Sequence, residues 1–376
     1  MGKSAVESRP IRRQSPVQGA PWCRSPAPGW QTLMADRRSL LLKHIDVSAQ
    51  GIEIAPYFNP ALAKRDGYRV LTVDVFDTDA LRQNARADPS IPDDRISEIE
   101  EVDIVCDASS LGQAVTGLGK QGQFGYVVSS HNFEHLPDPI RFLQGCSLAL
   151  SPGGVLSMAV PDGRACFDHF RMPTRLSDWL QAYHAQRSQP SPETIFDALS
   201  NVAQYDRVGK LAVGCDISLD DPRHFQPTND LGGAYAEYLK RISSPRPYRD
   251  THCTVTFGAA LENMLWDLRF LGLVDLEIIE VTETLGFEFF VHMRKPVTSA
   301  PLDAQAFHAA RAVRLRKVAG SLGTAGFGRP GPGQSAISHA LRRLLSRSKS
   351  FVERQLPTGT VTSIRAWNRR RKTRRR

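Results

Sequence analysis

Short apolar runs alternate with helix-like patterns along the first half of the chain. The apolar runs predict strands at residues 51–55, 69–74, 102–106, 124–130 and 154–160. Between them, apolar residues recur at helical spacing, which predicts helices at 38–45, 58–66, 78–87 and 138–150. Strands that alternate with helices are typical of βαβ units and a parallel sheet. The pattern therefore predicts an α/β fold with a Rossmann-like, doubly wound sheet.

The sequence changes character between residues 163 and 250, where we find no strand-like runs. Aromatic, Arg, Pro and Asp residues dominate this segment, and helical patterns cover Leu176 to Tyr183 and Glu193 to Tyr205. An insertion of this kind beside a doubly wound sheet usually covers the ligand site. We therefore predict that residues 163–250 form a helical lid over the substrate.

An amphipathic helix and a hairpin are predicted after the insertion. Apolar residues follow the helical period over residues 258–272, and two further strands are predicted at 275–282 and 287–293. The connection at 283–286 is too short for a parallel crossover, which needs a dozen or more residues. The last two strands must therefore be antiparallel to each other.

The formal net charge of +9 is unevenly distributed along the chain. Residues 1–35 carry +4, residues 36–300 carry −11 and residues 301–376 carry +16. The first of these segments is rich in Pro, Ser, Arg and Gly, a composition typical of disorder. We expect a disordered extension at 1–35, a folded domain at 36–296 that includes the insertion, and a basic, partly helical tail at 297–376.

The basic tail has more than one interpretation. It can be a solvated extension, or an amphipathic helix that lies on an anionic membrane surface, because apolar residues from Ile337 to Leu356 follow one helical face. Nucleic acid is not an expected partner, because Trp367 is the one aromatic residue that lies among the last arginines.

Cysteine usage and hydropathy indicate the compartment. The six cysteines form no CxxC pair, which argues against a disulfide framework or a zinc cluster and fits a reducing compartment. No run approaches the roughly 18 apolar residues of a membrane span, and the N-terminus has no apolar region of a secretory signal. We expect a cytoplasmic protein that the tail could bring to the inner membrane face.

Three acidic residues follow the first three predicted strands. They are Glu53, Asp74 and Asp107, and Asp74 lies 21 residues beyond Glu53, the spacing expected of an acid that binds a ribose. Parallel sheets bind ligands at the carboxyl ends of their strands. Any one of these acids could be only a helix cap, but three in order at successive strand ends predict an adenosine site.

Several motifs resemble class I S-adenosylmethionine-dependent methyltransferases, and most closely the bacterial methyltransferase-domain proteins associated with surface-glycan gene clusters. The resemblance covers residues 38–296 and implies a seven-stranded sheet whose last strand is antiparallel, with S-adenosylmethionine as cofactor. The motifs that carry it are Gly51–Pro56, Val73–Asp74, Val105–Asp107, Ser129–His135, Leu150–Asp162, Thr251–Phe257 and Gly286–Lys295.

The same resemblance implies which residues contact the cofactor. Glu53 and Ala55 are expected to border the methionine portion, Asp74 the ribose and Asp107 the adenine, and the far wall is expected to run from Ser129 through Ser130 to His131. The neighbouring residues Ile54, Pro56, Val75 and Ala108 complete the expected cofactor-binding set.

The chain departs from the family pattern at two places. The glycine-rich loop is replaced by Ala55-Pro56-Tyr57, which adds a Cβ where backbone and ligand meet closely. Gly125 stands where an acid commonly opens the fourth strand. These departures leave open a second hypothesis, a catalytically degenerate methyltransferase fold that serves as a scaffold through its basic tail.

A hydroxyl acceptor needs a general base in addition to the cofactor. His131, at the end of the fourth strand, is the first candidate and Asp162, after the fifth strand, is the second; His252 and His224 are weaker candidates. For each, a hydrogen-bonded loop residue is an equally good interpretation.

The sequence His131-Asn-Phe-Glu134-His135 also matches the H-x-x-E-H motif of zinc peptidases. That motif needs one continuous helix, and Pro137 and Pro139 break any helix here. We therefore expect Glu134 and His135 to satisfy backbone groups at a turn, and we expect no metal.

The leading hypothesis is an S-adenosylmethionine-dependent O-methyltransferase that acts on a glycan or a small molecule. A nucleic-acid methyltransferase is less favoured because the chain lacks the Asn/Asp-Pro-Pro-aromatic type of motif that serves amino groups on bases.

Overall fold

A computed structural model describes residues 37–322, apart from residues 90, 208–209, 229 and 299. The chain divides into two compact units, 1–321 and 322–376, and the description below concerns the first. The predicted extension at 1–35 and the apolar helical face from Ile337 to Leu356 lie outside the described residues. Among the helices that are described, none is both long and apolar enough to cross a bilayer.

Ten strands form two sheets in the described part of the chain. They are β1 (Gly51–Ile54), β2 (Val70–Asp74), β3 (Ile104–Val105), β4 (Phe124–Ser130), β5 (Leu150–Pro161), β6 (Ala203–Arg207), β7 (Lys210–Ala212), β8 (Phe225–Pro227), β9 (Glu277–Val281) and β10 (Glu288–Arg294).

A helical turn at 37–41 precedes β1, and nine further helices follow in the described residues. They are α1 (Thr78–Ala87), α2 (Asp93–Ile96), α3 (Leu111–Gly117), α4 (Pro139–Ala149), α5 (Leu176–His184), α6 (Pro192–Ser200), α7 (Leu231–Ser243), α8 (Gly258–Phe270) and α9 (Ala304–Leu322).

The main sheet has seven strands in the order β3-β2-β1-β4-β5-β10-β9. Strands β1 to β5 are parallel, and β10 is antiparallel to both β5 and β9. This confirms the predicted α/β fold, the doubly wound sheet and the antiparallel last strand. The strand order reverses between β1 and β4, and the pairs Ile54↔Val73 and Ile54↔Ser129 align the ends of β1, β2 and β4 at that point. A doubly wound sheet binds its ligand there.

Apolar residues cover both faces of the main sheet. Ile52 and Val127 belong to the core formed with α3, α4 and α8, whereas Tyr126 and Val128 pack with Leu41 on the opposite face. A parallel strand buried on both faces is apolar along its whole length. This is why short continuous apolar runs located the strands.

Two glycines open strands of the sheet for steric reasons. A Cβ at Gly51 would lie 1.9 Å from the ring of the fully buried Tyr126, and a Cβ at Gly125 would lie 2.5 Å from the Cβ of Ala49. In this fold the Cβ of Ala49 therefore leaves no room for a side chain at position 125.

The helix predicted at 58–66 is wrong. The chain there is a loop with one 3₁₀ turn, Lys64–Asp66. The buried Glu53 side chain accepts hydrogen bonds from the backbone amides of Ala61 and Leu62, which an α-helix would use within itself. Pro60 also disfavours helical conformation at the residue before it.

The insertion is predicted to be helical throughout, but in the structure it also contains a small sheet. It contains α5, α6 and α7, but the helix expected at Glu193 to Tyr205 ends at Ser200, and β6 follows in the three-stranded antiparallel sheet β7-β6-β8. Tyr205 and Phe225 of this sheet pack with Ala165, which lies shortly after the end of β5, and with Phe287, which directly precedes β10. The insertion therefore lies against the carboxyl end of β5.

The segment predicted as a basic tail begins with a packed helix. Phe307 of α9 stacks on Phe270 of α8 with ring centroids 4.0 Å apart, and Arg311 binds Asp267 at 2.8 Å. Two basic residues of the predicted tail, Arg311 and Lys317, are thus paired with acidic residues of α8.

Candidate active site

The loop after β1 keeps the backbone of a glycine-rich loop although its glycines are replaced. Ala55 and Tyr57 have φ of +50° and +51°, the left-handed region that favours glycine. Each such residue costs about 1 kcal/mol relative to glycine. The amide of Ala55 donates to the carbonyl of Val73 at 2.7 Å, which ties the loop to β2. The loop therefore follows the path that close approach to a ligand requires.

The side chain of Glu53 holds the segment after β1 in place through hydrogen bonds. Its side chain is buried, and its two oxygens accept hydrogen bonds from the amides of Ala61 (2.7 Å) and Leu62 (3.1 Å). Burial raises the pKa of the Glu53 carboxyl, although both backbone hydrogen bonds oppose the shift. Both oxygens accept hydrogen bonds from backbone amides that follow β1, so Glu53 fixes the conformation of this segment.

Asp74 and Asp107 lie at the carboxyl ends of neighbouring strands. Asp74 accepts from the amide of Phe76 at 3.1 Å, and Asp107 caps the 3₁₀ turn 108–110 through the amide of Ser109 at 2.8 Å. Burial, and then the charges of Asp88 and Asp74, raise the pKa of Tyr57 to about 12. The phenol of Tyr57 therefore stays neutral beside the ribose-binding acid that the sequence predicts.

The far wall is formed by the end of β4. Ser129 is fully buried, and its hydroxyl accepts a hydrogen bond from Asn132 Nδ2 at 3.4 Å. The hydroxyl of Ser130 accepts one from Arg37 Nη2 at 2.8 Å. Arg37, which the sequence analysis missed, therefore occupies the Ser130 side of the crevice.

His131 lies between two carboxylates. Its φ is +48°, its Nε2 is 2.8 Å from Glu288 Oε2 and its Nδ1 is 3.4 Å from Glu134 Oε1. Burial favours the neutral imidazole, but hydrogen bonds to Glu134 and Glu288 outweigh it and raise the pKa of His131 to about 9. An imidazole that is protonated at neutral pH, with both nitrogens at carboxylates, is poorly suited to the predicted role of general base.

Asp162 is also unsuited to the role of base that the sequence suggested. Its side chain is completely buried, and Arg164 donates to both of its oxygens at 2.9 and 2.6 Å. The hydroxyl of Thr284 donates to it at 2.6 Å. The structure thus gives Asp162 the role of joining the end of β5 to the β9–β10 turn.

The sequence model of the methyltransferase-domain family matches residues 31–270, more than half of the chain. The chain belongs to this family. It is a class I S-adenosylmethionine-dependent methyltransferase, and no curated protein matches it significantly.

Solved S-adenosylmethionine-dependent methyltransferases are among its structural neighbours. The one from Mesorhizobium loti is 14% identical, with 71% of this chain and 98% of that chain covered at a TM-score of 0.33. The one from Methanosarcina mazei is 14% identical, with 68% and 96% covered at 0.33. The one from Archaeoglobus fulgidus is 12% identical, with 70% and 94% covered at 0.31.

The residues at the ends of β1, β2 and β3 are of the kinds that an adenosine-bearing cofactor needs. Ala55 and Tyr57 hold the loop in a glycine-like conformation, while Asp74 and Asp107 end adjacent strands of the same edge. Of the other predicted cofactor residues, Ile54 and Ala108 are buried, and Pro56 is half-buried in the loop. Val75 directly follows β2, beside Asp74.

Several histidines and acidic residues of the methyltransferase lie together at the turn that follows β4. Glu134 and His135 lie on the 3₁₀ turn Phe133–His135. The H-x-x-E-H sequence therefore does not lie on a continuous α-helix, which confirms the prediction. The side chain of Glu134 does not cap backbone groups, which corrects the expected role. Its backbone carbonyl does so instead, accepting from the amides of Cys253 (2.6 Å) and Thr254 (3.0 Å), and this pairing brings His252 to the turn.

His252 is only a weak candidate from the sequence pattern, and the acids that hold these histidines are not predicted from it. Asp168 Oδ2 is 2.5 Å from His252 Nδ1, and Asp250 Oδ1 is 3.1 Å from His135 Nδ1. The one available signal was the density of His and acidic residues at 131–135 and 250–252. His224, by contrast, lies on an exposed turn of the insertion.

Proposed function

We propose that this methyltransferase transfers the methyl group of S-adenosylmethionine to a hydroxyl oxygen of a glycan or small-molecule acceptor. The observation that carries the proposal is the division of the crevice at the switch point. Cofactor-type groups (the Ala55–Tyr57 loop, Asp74 and Asp107) lie on one side, and the histidine–carboxylate cluster at the end of β4 lies on the other.

The cofactor supplies an electrophilic methyl group when it is bound. In the proposed arrangement the loop Ala55–Tyr57 holds the methionine portion, Asp74 with Val75 the ribose, Asp107 with Ala108 the adenine, and Ser129 and Ser130 line the opposite wall. A carboxylate is suited to the ribose because it accepts hydrogen bonds from two hydroxyl groups. Glu53 acts indirectly by fixing the loop.

The acceptor side needs groups that orient a hydroxyl and remove its proton. The acceptor oxygen forms a bond to the methyl carbon while the carbon–sulfur bond breaks, its electron pair stays on sulfur, and the acceptor proton is released. Positioning of the reacting atoms and exclusion of water are the main contributions that a protein makes to such a displacement. We assign His135 and His252, oriented by Asp250 and Asp168, to the acceptor side in place of His131 and Asp162.

The insertion offers room for an acceptor that carries a ring. A hollow of about 280 Å³ between α6 and α7 is lined by Glu193, Phe196, Tyr235 and Tyr238, and the rings of Tyr235 and Tyr238 are stacked. Exposed apolar surface of this kind often marks a ligand site. It supports the proposal that the insertion is the substrate lid.

Methyl transfer to candidate acceptors tests this proposal. The protein is incubated with methyl-labelled S-adenosylmethionine and with neutral sugars, acidic sugars and extracted cell-envelope glycans, and both S-adenosylhomocysteine and labelled product are measured. We expect label on an acceptor oxygen and loss of turnover in Asp74→Ala. Transfer to amino groups alone, with no label on oxygen, would contradict the O-methyltransferase assignment.

A degenerate scaffold is the second candidate, and the replacement of the loop glycines by Ala55 and Tyr57 favours it. It predicts that the folded core binds partners but does not turn over the methyl donor. Release of S-adenosylhomocysteine in the presence of a cell-envelope extract would eliminate it.

A further inference from the structure

Three imidazoles surround one buried carboxylate at the end of β4. Oε1 of Glu134 is 3.4 Å from His131 Nδ1, 3.8 Å from His135 Nε2 and 4.0 Å from His252 Nε2. The side chain of Glu134 is 1% exposed and that of His252 is 7% exposed, whereas His131 and His135 are each 30% exposed. The cluster is therefore closed on the His252 side and open on the side of the other two histidines.

These separations fit ligands of a shared ion better than they fit hydrogen bonds. The distances from Glu134 to His135 and His252 exceed the range of a hydrogen bond, roughly 2.7–3.2 Å. Nitrogen and oxygen ligands bound at about 2.0–2.1 Å to a tetrahedral ion lie about 3.4 Å apart. The ligand atoms of Glu134, His135 and His252 all lie within 4.8 Å of one another, so small side-chain movements would bring them onto one ion.

Each histidine is held by an acid at the nitrogen that faces away from Glu134. His252 Nδ1 is 2.5 Å from Asp168, His135 Nδ1 is 3.1 Å from Asp250, and His131 Nε2 is 2.8 Å from Glu288. For His135 and His252, the carboxylate on the outer nitrogen fixes the imidazole tautomer and leaves the inner nitrogen as an electron-pair donor, as in most histidine metal sites.

One oxygen of the Glu134 carboxylate has no partner within the described part of the chain. Oε1 faces the histidines, including the protonated His131, but Oε2 is buried and has no hydrogen-bond partner among the described residues. A buried carboxylate oxygen without a partner is costly. A metal ion bound by this carboxylate would compensate that cost, and this observation is separate from the histidine distances, which all refer to Oε1.

We propose that Glu134, His135 and His252 bind a divalent first-row transition-metal ion such as Zn²⁺, with His131 at the edge of the site. Imidazole and carboxylate donors favour ions of this class over Mg²⁺ or Ca²⁺, which prefer all-oxygen sites. This revises the expectation of no metal, because the third ligand, His252, is brought to the turn by the pairing of Cys253 and Thr254 with Glu134.

A second cluster, His44, Glu280 and His292, provides an internal comparison. Glu280 is 31% exposed and is already paired with Lys43 at 2.7 Å and with His44 at 2.8 Å. Both oxygens of Glu280 therefore have hydrogen-bond partners, so this cluster lacks the unpartnered carboxylate oxygen found at Glu134.

The ion also has a use in the reaction, an extension that rests on the proposed function. Bound at the end of β4, it would coordinate the acceptor hydroxyl oxygen and lower the pKa of that hydroxyl, so that the proton leaves to solvent as the oxygen takes the methyl group.

Metal binding can be measured without any acceptor. Untagged full-length protein is stripped with a chelator and titrated with Zn²⁺ by calorimetry and with Co²⁺ by visible absorption. We expect one ion per chain and a cobalt spectrum of nitrogen–oxygen ligation. Glu134→Gln, His135→Gln and His252→Gln should each weaken Zn²⁺ binding at least tenfold, and Asp168→Asn should weaken it about tenfold to a hundredfold by releasing His252.

The matched control is His44→Gln, which removes a histidine from the second cluster and should bind Zn²⁺ like the unmodified protein. Unchanged Zn²⁺ affinity in both His135→Gln and His252→Gln, or loss of binding in His44→Gln instead, overturns the proposal. Because His135 is partly exposed, its variant keeps the test decisive if Glu134→Gln fails to fold. S-adenosylhomocysteine binding by the same stripped protein separates failure of the metal site from failure of the methyltransferase assignment.

Discussion

Single positions in this protein are constrained by close contacts that a side chain would break. At Gly51 the nearest ring atom of Tyr126 lies 1.9 Å from where a Cβ would be, and Tyr126 is fully buried against the second face of the sheet. Positions that must be glycine for this reason can be recognised only in the folded chain, because nothing in the sequence indicates that the Tyr126 ring lies against β1.

The variant Gly51→Ala should lose about 1–3 kcal/mol of unfolding free energy, because the Tyr126 ring cannot move without disturbing the core. Chemical denaturation followed by circular dichroism measures the change. Gly117→Ala is the control, since a Cβ at Gly117 meets no atom within 4 Å. Equal stability of the two variants would show that the ring yields more easily than the packing indicates.

His292 is the residue that should make stability depend on pH. It is fully buried on β10, and His44 lies beside it with ring centroids 4.8 Å apart. Burial, followed by the nearby charge of His44, lowers the pKa of His292 to about 4. The unfolded chain, with a histidine pKa of about 6.5, therefore takes up the proton first as the pH falls.

It follows that the stabilising effect of neutral His292 is complete above about pH 6.5 and is lost as the pH falls toward 4. The loss between pH 7 and pH 5 should be about 2 kcal/mol. Unfolding free energies of the unmodified protein and of His292→Gln, measured in urea at both pH values, test this. Between pH 7 and pH 5, His292→Gln should lose less unfolding free energy than the unmodified protein. The control His184→Gln, at an exposed position of α5, should lose as much as the unmodified protein. Parallel losses in all three proteins would contradict the assignment.

Among the secondary-structure elements, the loop after β1 decides whether the cofactor site is intact. Ala55 occupies a left-handed conformation that glycine tolerates and that a β-branched residue does not. Ala55→Gly should therefore keep or raise the affinity for S-adenosylhomocysteine, and Ala55→Val should lower it more than tenfold.

Calorimetric titration of the two loop variants measures this effect. Ala87→Val, at an exposed position near the end of α1, provides the matched control. Wild-type affinity in Ala55→Val would mean that the backbone of this loop does not contact the cofactor.

The strands and the final hairpin were predictable because their signals are local. Apolar runs located the seven strands of the main sheet within a few residues, and the length of the 283–286 turn required its antiparallel geometry. The failed helix at 58–66 has a non-local cause, since Glu53 takes up the amides of Ala61 and Leu62. The small sheet was missed because its strands are short and rich in polar residues.

The candidate site combines elements far apart in the chain, and this limited its prediction. Asp74 and Asp107 were found because strand ends follow from the strands themselves. The grouping of Glu134 with His252 was not, because it depends on how the segment after the insertion pairs with the turn after β4. Even Asp162, which follows β5 as expected, proved to be engaged by Arg164 and Thr284.

The charge asymmetry of the molecule predicts a membrane-binding role for its last part. Residues 301–376 carry +16, while α9 neutralises some of this charge against α8 through Arg311 and Lys317. Most of the basic residues therefore belong to residues 323–376.

A chain truncated after residue 322 should lose sedimentation with anionic phosphatidylglycerol vesicles, and the full chain should lose it as salt is raised. Neutral phosphatidylcholine vesicles serve as the control. Binding of the truncated chain at the same level would place the membrane contact elsewhere.

The central claim is that the crevice between β1 and β4 holds an adenosine-bearing cofactor through Asp74. Titration of the full-length protein with S-adenosylhomocysteine tests it most directly, with Asp74→Ala compared against Asp77→Ala, an exposed cap of α1. We predict one site per chain, at least tenfold weaker binding in Asp74→Ala and unchanged binding in Asp77→Ala. No binding to the unmodified protein, or equal affinity in all three, would contradict the account.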